Sequence, residues 1–393
     1  MDGPRANTTS SRSSSSSLSD AAHKTLLDNP YELRHGRRYL RELPYPLPCD
    51  LPEIQRQNLR TLLGCTVFGG ASCSRRTSTD VPQRVLELGC GSAYWSAMCH
   101  DFFRSLGYAN VSFTGLDVAP LAPNLSKEGM DWTFVQHDIR RIPLPFDDEE
   151  FDLVMLKDMS LALPMGPAFQ KLLDEIIRIL SDNGTLEIWE SDHVLRSLLP
   201  HPRSSPTTQP KDYRTAEQTG TFIIAPGMPF GSAQNRHFQR ANMWIQNALD
   251  VRKLPPTPCA RIAQILLQEP DLTDIGSRRV AIPLGELRWE REQSGRPNSS
   301  LVDSPMSLKA KSKLVDGALN ENQMALRQTA LITILQEIES LEPLLKEASS
   351  KNTEEWSHWW ATMMNDLLDP SKGAFLSECL ELGAWWATKR PSE

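Results

Sequence analysis

The stretch RVLELGCGSAYW, residues 84–95, decides the fold. Val85, Leu86 and Leu88 make a short apolar run of strand length, and Tyr94 opens a longer run, YWSAMCHDFFRSLG, of helical character. Between them, Gly89-Cys90-Gly91-Ser92 is too rich in glycine to continue either element, so the chain turns here from strand to helix. Such a turn presents free backbone N–H groups at a helix start and lets a ligand approach the main chain closely. A dinucleotide-binding loop would carry a third glycine in the GxGxxG pattern. Tyr94 stands in that place, which counts against a nicotinamide-dependent oxidoreductase.

Working outward, VSFTGLDV (111–118), WTFVQHD (132–138), DLVMLKD (152–158) and GTLEIWE (184–190) read as four further strands. Phe169, Leu172, Leu173, Ile176, Ile177 and Leu180 recur at helical spacing between the last two. Alternating strands and helices predict an α/β fold: a Rossmann-like, doubly wound, mainly parallel sheet covered on both faces. The second strand ends at Asp117, where an acid can accept hydrogen bonds from both hydroxyls of a ribose. The third ends at His137-Asp138 and the fourth at Lys157-Asp158. Ligands of open α/β sheets bind at these carboxyl ends. Any one of the acids could be a helix cap or a solvated loop residue. Together with the glycine loop they read as a site.

These residues resemble class I S-adenosylmethionine-dependent methyltransferases over about residues 84–193. The resemblance implies S-adenosyl-L-methionine as cofactor, held by Glu87, Gly89, Cys90 and Gly91 of the glycine-rich loop, with Trp95 just beyond it. It implies Asp117, followed by Val118, at the ribose and Asp138, with Ile139, at the adenine amino group. Lys157 and Asp158 would face the methyl donor. Ser181-Asp182-Asn183-Gly184-Thr185 stands where the family has Leu-x-Pro-Gly-Gly, with Asp182 and Asn183 replacing the proline and first glycine. The segment Tyr45-Pro46-Leu47-Pro48-Cys49-Asp50, with Glu53 and Arg56 after it, is similar to the region ahead of the glycine loop in LaeA-like methyltransferases of filamentous fungi.

Methyl transfer from a sulfonium is a direct displacement, so the protein mainly aligns the partners and removes water. A base helps where the acceptor must lose a proton. Asp158 and His193 are the catalytic candidates, and Lys157, Glu190 and Asp192 lie beside them. His193 is the one with an unperturbed pKa near neutrality. The competing reading makes His193 an exposed loop histidine and Asp158 a donor-site or structural group. Trp132 is a candidate for adenine contact. Trp356, Trp359, Trp360, Trp385 and Trp386 read as packing.

The whole chain has 393 residues, 39% of them hydrophobic and 23% charged, with a net charge of −7. An acidic chain lacks the excess of cations that phosphate backbones demand, so no nucleic-acid partner is expected. Mean hydropathy is −0.39, and no apolar run of membrane-spanning length occurs. Seven cysteines without a CxxC pair argue against a metal site or disulfide framework and for a reducing, cytoplasmic or nuclear setting. The sequence divides into a Ser-rich disordered tail (1–20), a helical and extended approach segment (21–83) and the core (84–193). A loop-rich insertion (194–310) and C-terminal helices (311–393) follow. Within 21–83, Asp50 caps a helix that carries Pro52 and Glu53 in its first turn. Two late strands, at 221–226 and 278–283, would complete the sheet. Between them 227–250, with Phe230 and Trp244, would form a lid over a small-molecule acceptor. The alternatives are a protein methyltransferase, or a methyltransferase-like regulatory factor that acts through a protein partner.

Overall fold

The computed structural model describes residues 23–74, 81–200, 210–225, 228–287, 289–290, 319–368 and 377–391. The Ser-rich tail and the polar stretch 291–310 lie outside the described residues. In chain order the elements are β1 (Tyr31–Arg34), β2 (Arg37–Leu40), α1 (Leu51–Phe68), β3 (Arg84–Leu88), α2 (Tyr94–Ser105), β4 (Ser112–Asp117), β5 (Asp131–Gln136), β6 (Phe151–Lys157), α3 (Pro167–Ile179) and β7 (Leu180–Ser191). They continue with β8 (Arg196–Leu198), α4 (Pro210–Thr219), β9 (Phe222–Ile223), β10 (Phe230–Ser232), α5 (Arg236–Val251), α6 (Ile262–Leu267) and β11 (Leu272–Pro283). Last come α7 (Glu321–Ser340), α8 (Glu342–Ser349), α9 (Thr353–Leu368) and β12 (Glu378–Lys389).

The main sheet has the order β5-β4-β3-β6-β7-β12-β11, and its first five strands run parallel. β12 is antiparallel to both neighbours, β7 and β11, and β8 and β10 extend the sheet from the start of β12. Alternate residues of each strand feed opposite cores. On β6, Leu153 and Met155 pack with Phe68, Trp95 and Phe103, while Val154 and Leu156 pack with Phe169, Leu172 and Ile176 of α3. Burial on both faces is why these strands read as nearly continuous apolar runs.

The C-terminal part corrects the sequence reading. Residues 378–389, taken with the C-terminal helices, form a twelve-residue strand in the interior of the sheet. Trp385 and Trp386 are neighbours in sequence and enter opposite cores, as strand geometry dictates. Glycines make room for the indoles: a Cβ on Gly276 would lie 2.3 Å from Trp386, and one on Gly383 would lie 2.2 Å from Trp385. Of the two expected late strands, 278–283 lies within β11. Among the described residues of 221–226, Phe222–Ile223 alone form a strand, a short edge pairing with β11.

Candidate active site

The carboxyl ends of β3, β4, β5 and β6 open into one cleft. Gly89 and Gly91 both have left-handed backbones, with φ of +67° and +50°. A Cβ on Gly89 would meet Met159 Sδ at 2.4 Å, so the turn is closed to side chains there. A Cβ on Gly91 would find only Gln57 Oε1, at 3.9 Å, because this glycine faces the open cleft. Asp117, at the end of β4, accepts the Gly91 N–H at 2.8 Å through one oxygen and the Ala119 N–H at 3.1 Å through the other. Each oxygen keeps a further lone pair for a ligand. Burial raises the Asp117 carboxyl from its usual range, and those N–H groups pull the other way.

Glu87 lies one step below the loop and ties it to α2, accepting the Ser96 N–H at 3.2 Å and the Ser96 hydroxyl at 2.6 Å. Burial pushes this carboxyl up to about 7, against the pull of Lys157 and Ser96. Asp138 is clamped by the Arg140 guanidinium, the shortest contact being 2.7 Å. Burial alone would raise its pKa, and Arg140 overrules it and holds it low. Lys157 Nζ donates to Asp158 Oδ2 at 2.9 Å. Burial disfavours both charges, yet the mutual attraction raises the Lys157 pKa and lowers that of Asp158.

Of the residues singled out from the sequence, Glu87, Gly89, Cys90, Gly91, Trp95, Asp117, Val118, Asp138, Ile139, Lys157, Asp158 and His193 line this cleft, and Glu190 and Asp192 do not. Two other expectations are corrected. Trp132 packs inward against Gly115, where a Cβ would lie 2.2 Å from its indole, and it does not reach the cleft wall. The expected lid, 227–250, is described from residue 228 onward and is not drawn over the cleft in this structure. None of their described members lines the cleft. Phe230 sits under Arg196, whose guanidinium carbon is 4.2 Å from the ring centre. Trp244 is buried against Trp359 at 4.7 Å and Trp356 at 6.0 Å, an aromatic cluster that joins α5 to α9.

The roof comes instead from the approach segment. Asp50 caps α1 as expected, and Arg37 fixes it with contacts of 2.8 and 2.7 Å. That anchor lays Tyr45, Leu47, Pro48 and Cys49 across the cleft. Glu53 does not close a capping box. Its carboxylate turns inward to Arg56, with contacts from 2.6 to 3.1 Å, and accepts from Gln57 and Ser340. Arg56 also reaches Glu337 of α7 at 3.3 Å, and Arg60 joins the same carboxylate oxygen.

His193 is a half-buried residue whose side chain is only 5% exposed, unlike a free loop histidine. Its Nδ1 lies 2.9 Å from Glu337 Oε1 and its Nε2 lies 3.1 Å from Ser160 Oγ. Ser160 also donates to Glu190, through its backbone N–H at 2.7 Å and its hydroxyl at 2.9 Å. Arg60, Glu337 and Ser160 were missed by sequence reasoning. A signal for Arg60 was present: Glu53, Arg56 and Arg60 continue the helical stripe of Leu63 and Val67, so charges stand on the buried face of α1. Glu337 likewise interrupts the buried stripe of Ile334, Ile338 and Leu341.

A parallel sheet in this order, with an antiparallel β12 beside β7 and a glycine loop and acid at the ends of β3 and β4, is the class I S-adenosylmethionine-dependent methyltransferase fold. Residues 85–184 match the family model described as a methyltransferase domain. The cofactor of that fold is S-adenosyl-L-methionine. The loop geometry fits it: Gly91 leaves open the space that a side chain would take beside Asp117.

Among curated proteins, the chain is 35% identical over 117 residues to a probable phthiotriol/phenolphthiotriol dimycocerosates methyltransferase 2 of Mycobacterium ulcerans. That match covers 28% of this chain and 41% of the relative. A phthiotriol/phenolphthiotriol dimycocerosates methyltransferase of Mycobacterium tuberculosis is 33% identical over 121 residues, covering 28% and 39%. The chain thus spans about two fifths of the curated relatives it matches. Among solved structures, a phosphoethanolamine N-methyltransferase 2 of Haemonchus contortus aligns over 87% of this chain and 59% of its own, at 12% identity and a TM-score of 0.36.

Proposed function

We propose that the protein transfers the methyl group of S-adenosyl-L-methionine to a small-molecule acceptor by direct displacement. One observation carries the reading: Asp117 braces Gly91 from the next strand, in a cleft shared with Asp138, Lys157-Asp158 and His193. The cofactor supplies an activated methyl group when bound. The chain's own residues bind, orient and dry the site. Gly89 and Gly91 give backbone access, Asp117 takes the ribose hydroxyls, and Asp138 with Val118 and Ile139 frames the adenine side. Cys90, Trp95 and Glu87 back the loop, and Lys157-Asp158 set the charge at the methyl end. Tyr45, Leu47 and Ile54 on the roof favour an acceptor with apolar surface and exclude water. His193, held between Glu337 and Ser160, is the candidate base.

The finer reading takes the approach segment 45–56 as a sign of kinship with the LaeA-like enzymes of filamentous fungi, and the acceptor as a secondary metabolite. The cysteines, free in this structure, favour a reducing setting in the cytoplasm or nucleus. Among the described residues no helix is long and apolar enough to cross a membrane.

Titration calorimetry with S-adenosylhomocysteine tests the donor site. Asp117→Ala should weaken binding by about 1.5–3 kcal/mol, the loss of hydrogen bonds to a charged acceptor. Equal affinity of variant and parent would remove Asp117 from the site.

A further inference from the structure

Behind the cleft lining, starting from Glu337 and His193, lies a hydrogen-bonded chain in which contacts outnumber the obvious hydrogens. It runs from Glu337 through His193 and Ser160 to Glu190. Arg60 and Arg56, with His193, hold the buried Glu337 carboxyl well below its usual range despite burial, so it is an anion. The hydrogen of the His193–Glu337 contact therefore sits on Nδ1. Two contacts remain, Nε2 to Ser160 Oγ at 3.1 Å and Ser160 Oγ to Glu190 Oε2 at 2.9 Å. Ser160 has one hydroxyl hydrogen to give. For both contacts to be hydrogen bonds, a second hydrogen must lie on Glu190 or on Nε2. The two arrangements interconvert by moving protons along the chain, with no movement of heavy atoms.

The surroundings make this proton exchangeable. Glu190 is 5% exposed. Burial and the neighbouring Asp158 carboxylate push it up to about 7, while His193 and Ser160 pull it down. From the other sides it meets Lys157 at the end of β6 and the Cys259 thiol, which lies on the Glu190 carbonyl. Arg60 of α1 bonds the adjacent Ser191, and Asp192 is held by the Cys259 N–H. On the cleft wall Asp117, Asp138, Asp158 and Glu337 equal Arg56, Arg60, Arg140 and Lys157 in number, and Glu87, pushed up to about 7 by burial, adds part of a negative charge.

We propose that Glu190, Ser160 and His193 share one proton, and that a positively charged ligand in the cleft expels it to solvent. A cation beside these carboxylates favours the ionised form of Glu190. Once the proton has left, Ser160 donates to Glu190, and Nε2 of His193 carries no hydrogen and faces the Ser160 oxygen. Glu337 is the positioning residue that holds the His193 ring in this chain. The inference rests on the methyl-donor reading: S-adenosylmethionine carries a sulfonium charge and S-adenosylhomocysteine does not.

Calorimetric titration of the full chain with each compound at pH 7, in phosphate and in Tris, counts the protons exchanged. With Glu190 near half-protonation, S-adenosylmethionine should release up to about half a proton more than S-adenosylhomocysteine. Glu190→Gln should bind both compounds and abolish the difference. The ratio of the two affinities should rise from pH 6 to pH 8 in the parent, a measurement that needs no variant. If neither compound binds, the methyl-donor reading fails. If both bind with equal proton counts and a pH-independent ratio, the shared proton is refuted while that reading stands. A difference that survives in Glu190→Gln and vanishes in Glu87→Gln would place the proton on Glu87 and overturn the assignment.

Discussion

Replacing Glu337 by leucine should unbalance the buried charges beneath the roof. Arg56 keeps Glu53 through three contacts of 2.6–3.1 Å. Arg60 loses the carboxylate it ion-pairs with among the described residues and is left with Ser191 Oγ at 2.8 Å. It is 5% exposed, and its Nε already has no partner. Breaking a buried ion pair from one side costs about 3–5 kcal/mol, because the surviving charge has lost its water and gained nothing. Glu337→Leu should therefore unfold at lower urea, followed by tryptophan fluorescence, with a loss of that size. The double variant Arg60→Met/Glu337→Leu removes the orphan charge and should recover more than half of the loss. The folded-state pKa of Glu337 is depressed, so its contribution is complete above the unfolded carboxylate pKa of about 4.3 and fades as pH falls below it. Parent and variant should converge in acid. A loss below about 1 kcal/mol, or a double variant no better than the single one, would refute the reasoning.

Three further outcomes follow from the geometry. Gly89→Ala, with φ of +67° and a Cβ 2.4 Å from Met159 Sδ, should lose S-adenosylhomocysteine binding in calorimetry and destabilise the fold by at least about 1 kcal/mol. Trp244→Ala should cost about 3–5 kcal/mol in urea unfolding, while the folded protein keeps its affinity for S-adenosylhomocysteine, because the indole fills the α5–α9 cluster and not the cleft. The raised carboxyl of Glu87 opposes folding increasingly as pH climbs from its unfolded value to about 7. Glu87→Gln should accordingly melt above the parent at pH 8 and show no such advantage at pH 4; a variant less stable at pH 8 would contradict this.

The core was legible because its signals are local. Strand, glycine turn and helix follow one another between Arg84 and Ser105, and the acids at 117, 138 and 158 fall at strand ends that periodicity alone locates. What escaped depends on partners far away in sequence. His193 looks like a loop histidine until α7 brings Glu337 to its Nδ1 across 144 residues. Residues 227–250 read as a lid from their place between two late strands and their apolar side chains; Trp244 instead finds Trp356 and Trp359, and Tyr45 to Cys49, behind the Arg37–Asp50 pair, line the cleft. Trp385 and Trp386 misled for the same reason: an apolar run buried on both faces has no alternation to show that it is a strand.

The place of β12 also bears on how the chain is made. β7 ends at Ser191, and the strand that pairs with it begins at Glu378. During synthesis the ribosome must deliver everything between them before the middle of the sheet can be filled. Until then the emerging chain carries two strand edges without β12, that of β7, buried along most of its length, and that of β11, buried in its last four residues. Such edges recruit other chains as readily as their own missing strand. A ribosome stalled shortly before Glu378 would hold a nascent protein with a formed glycine loop and a gap through its sheet, a substrate for chaperones rather than a smaller enzyme. Pairing of β12 with β7 is thus a contact of long sequence separation, of the kind that forms slowly.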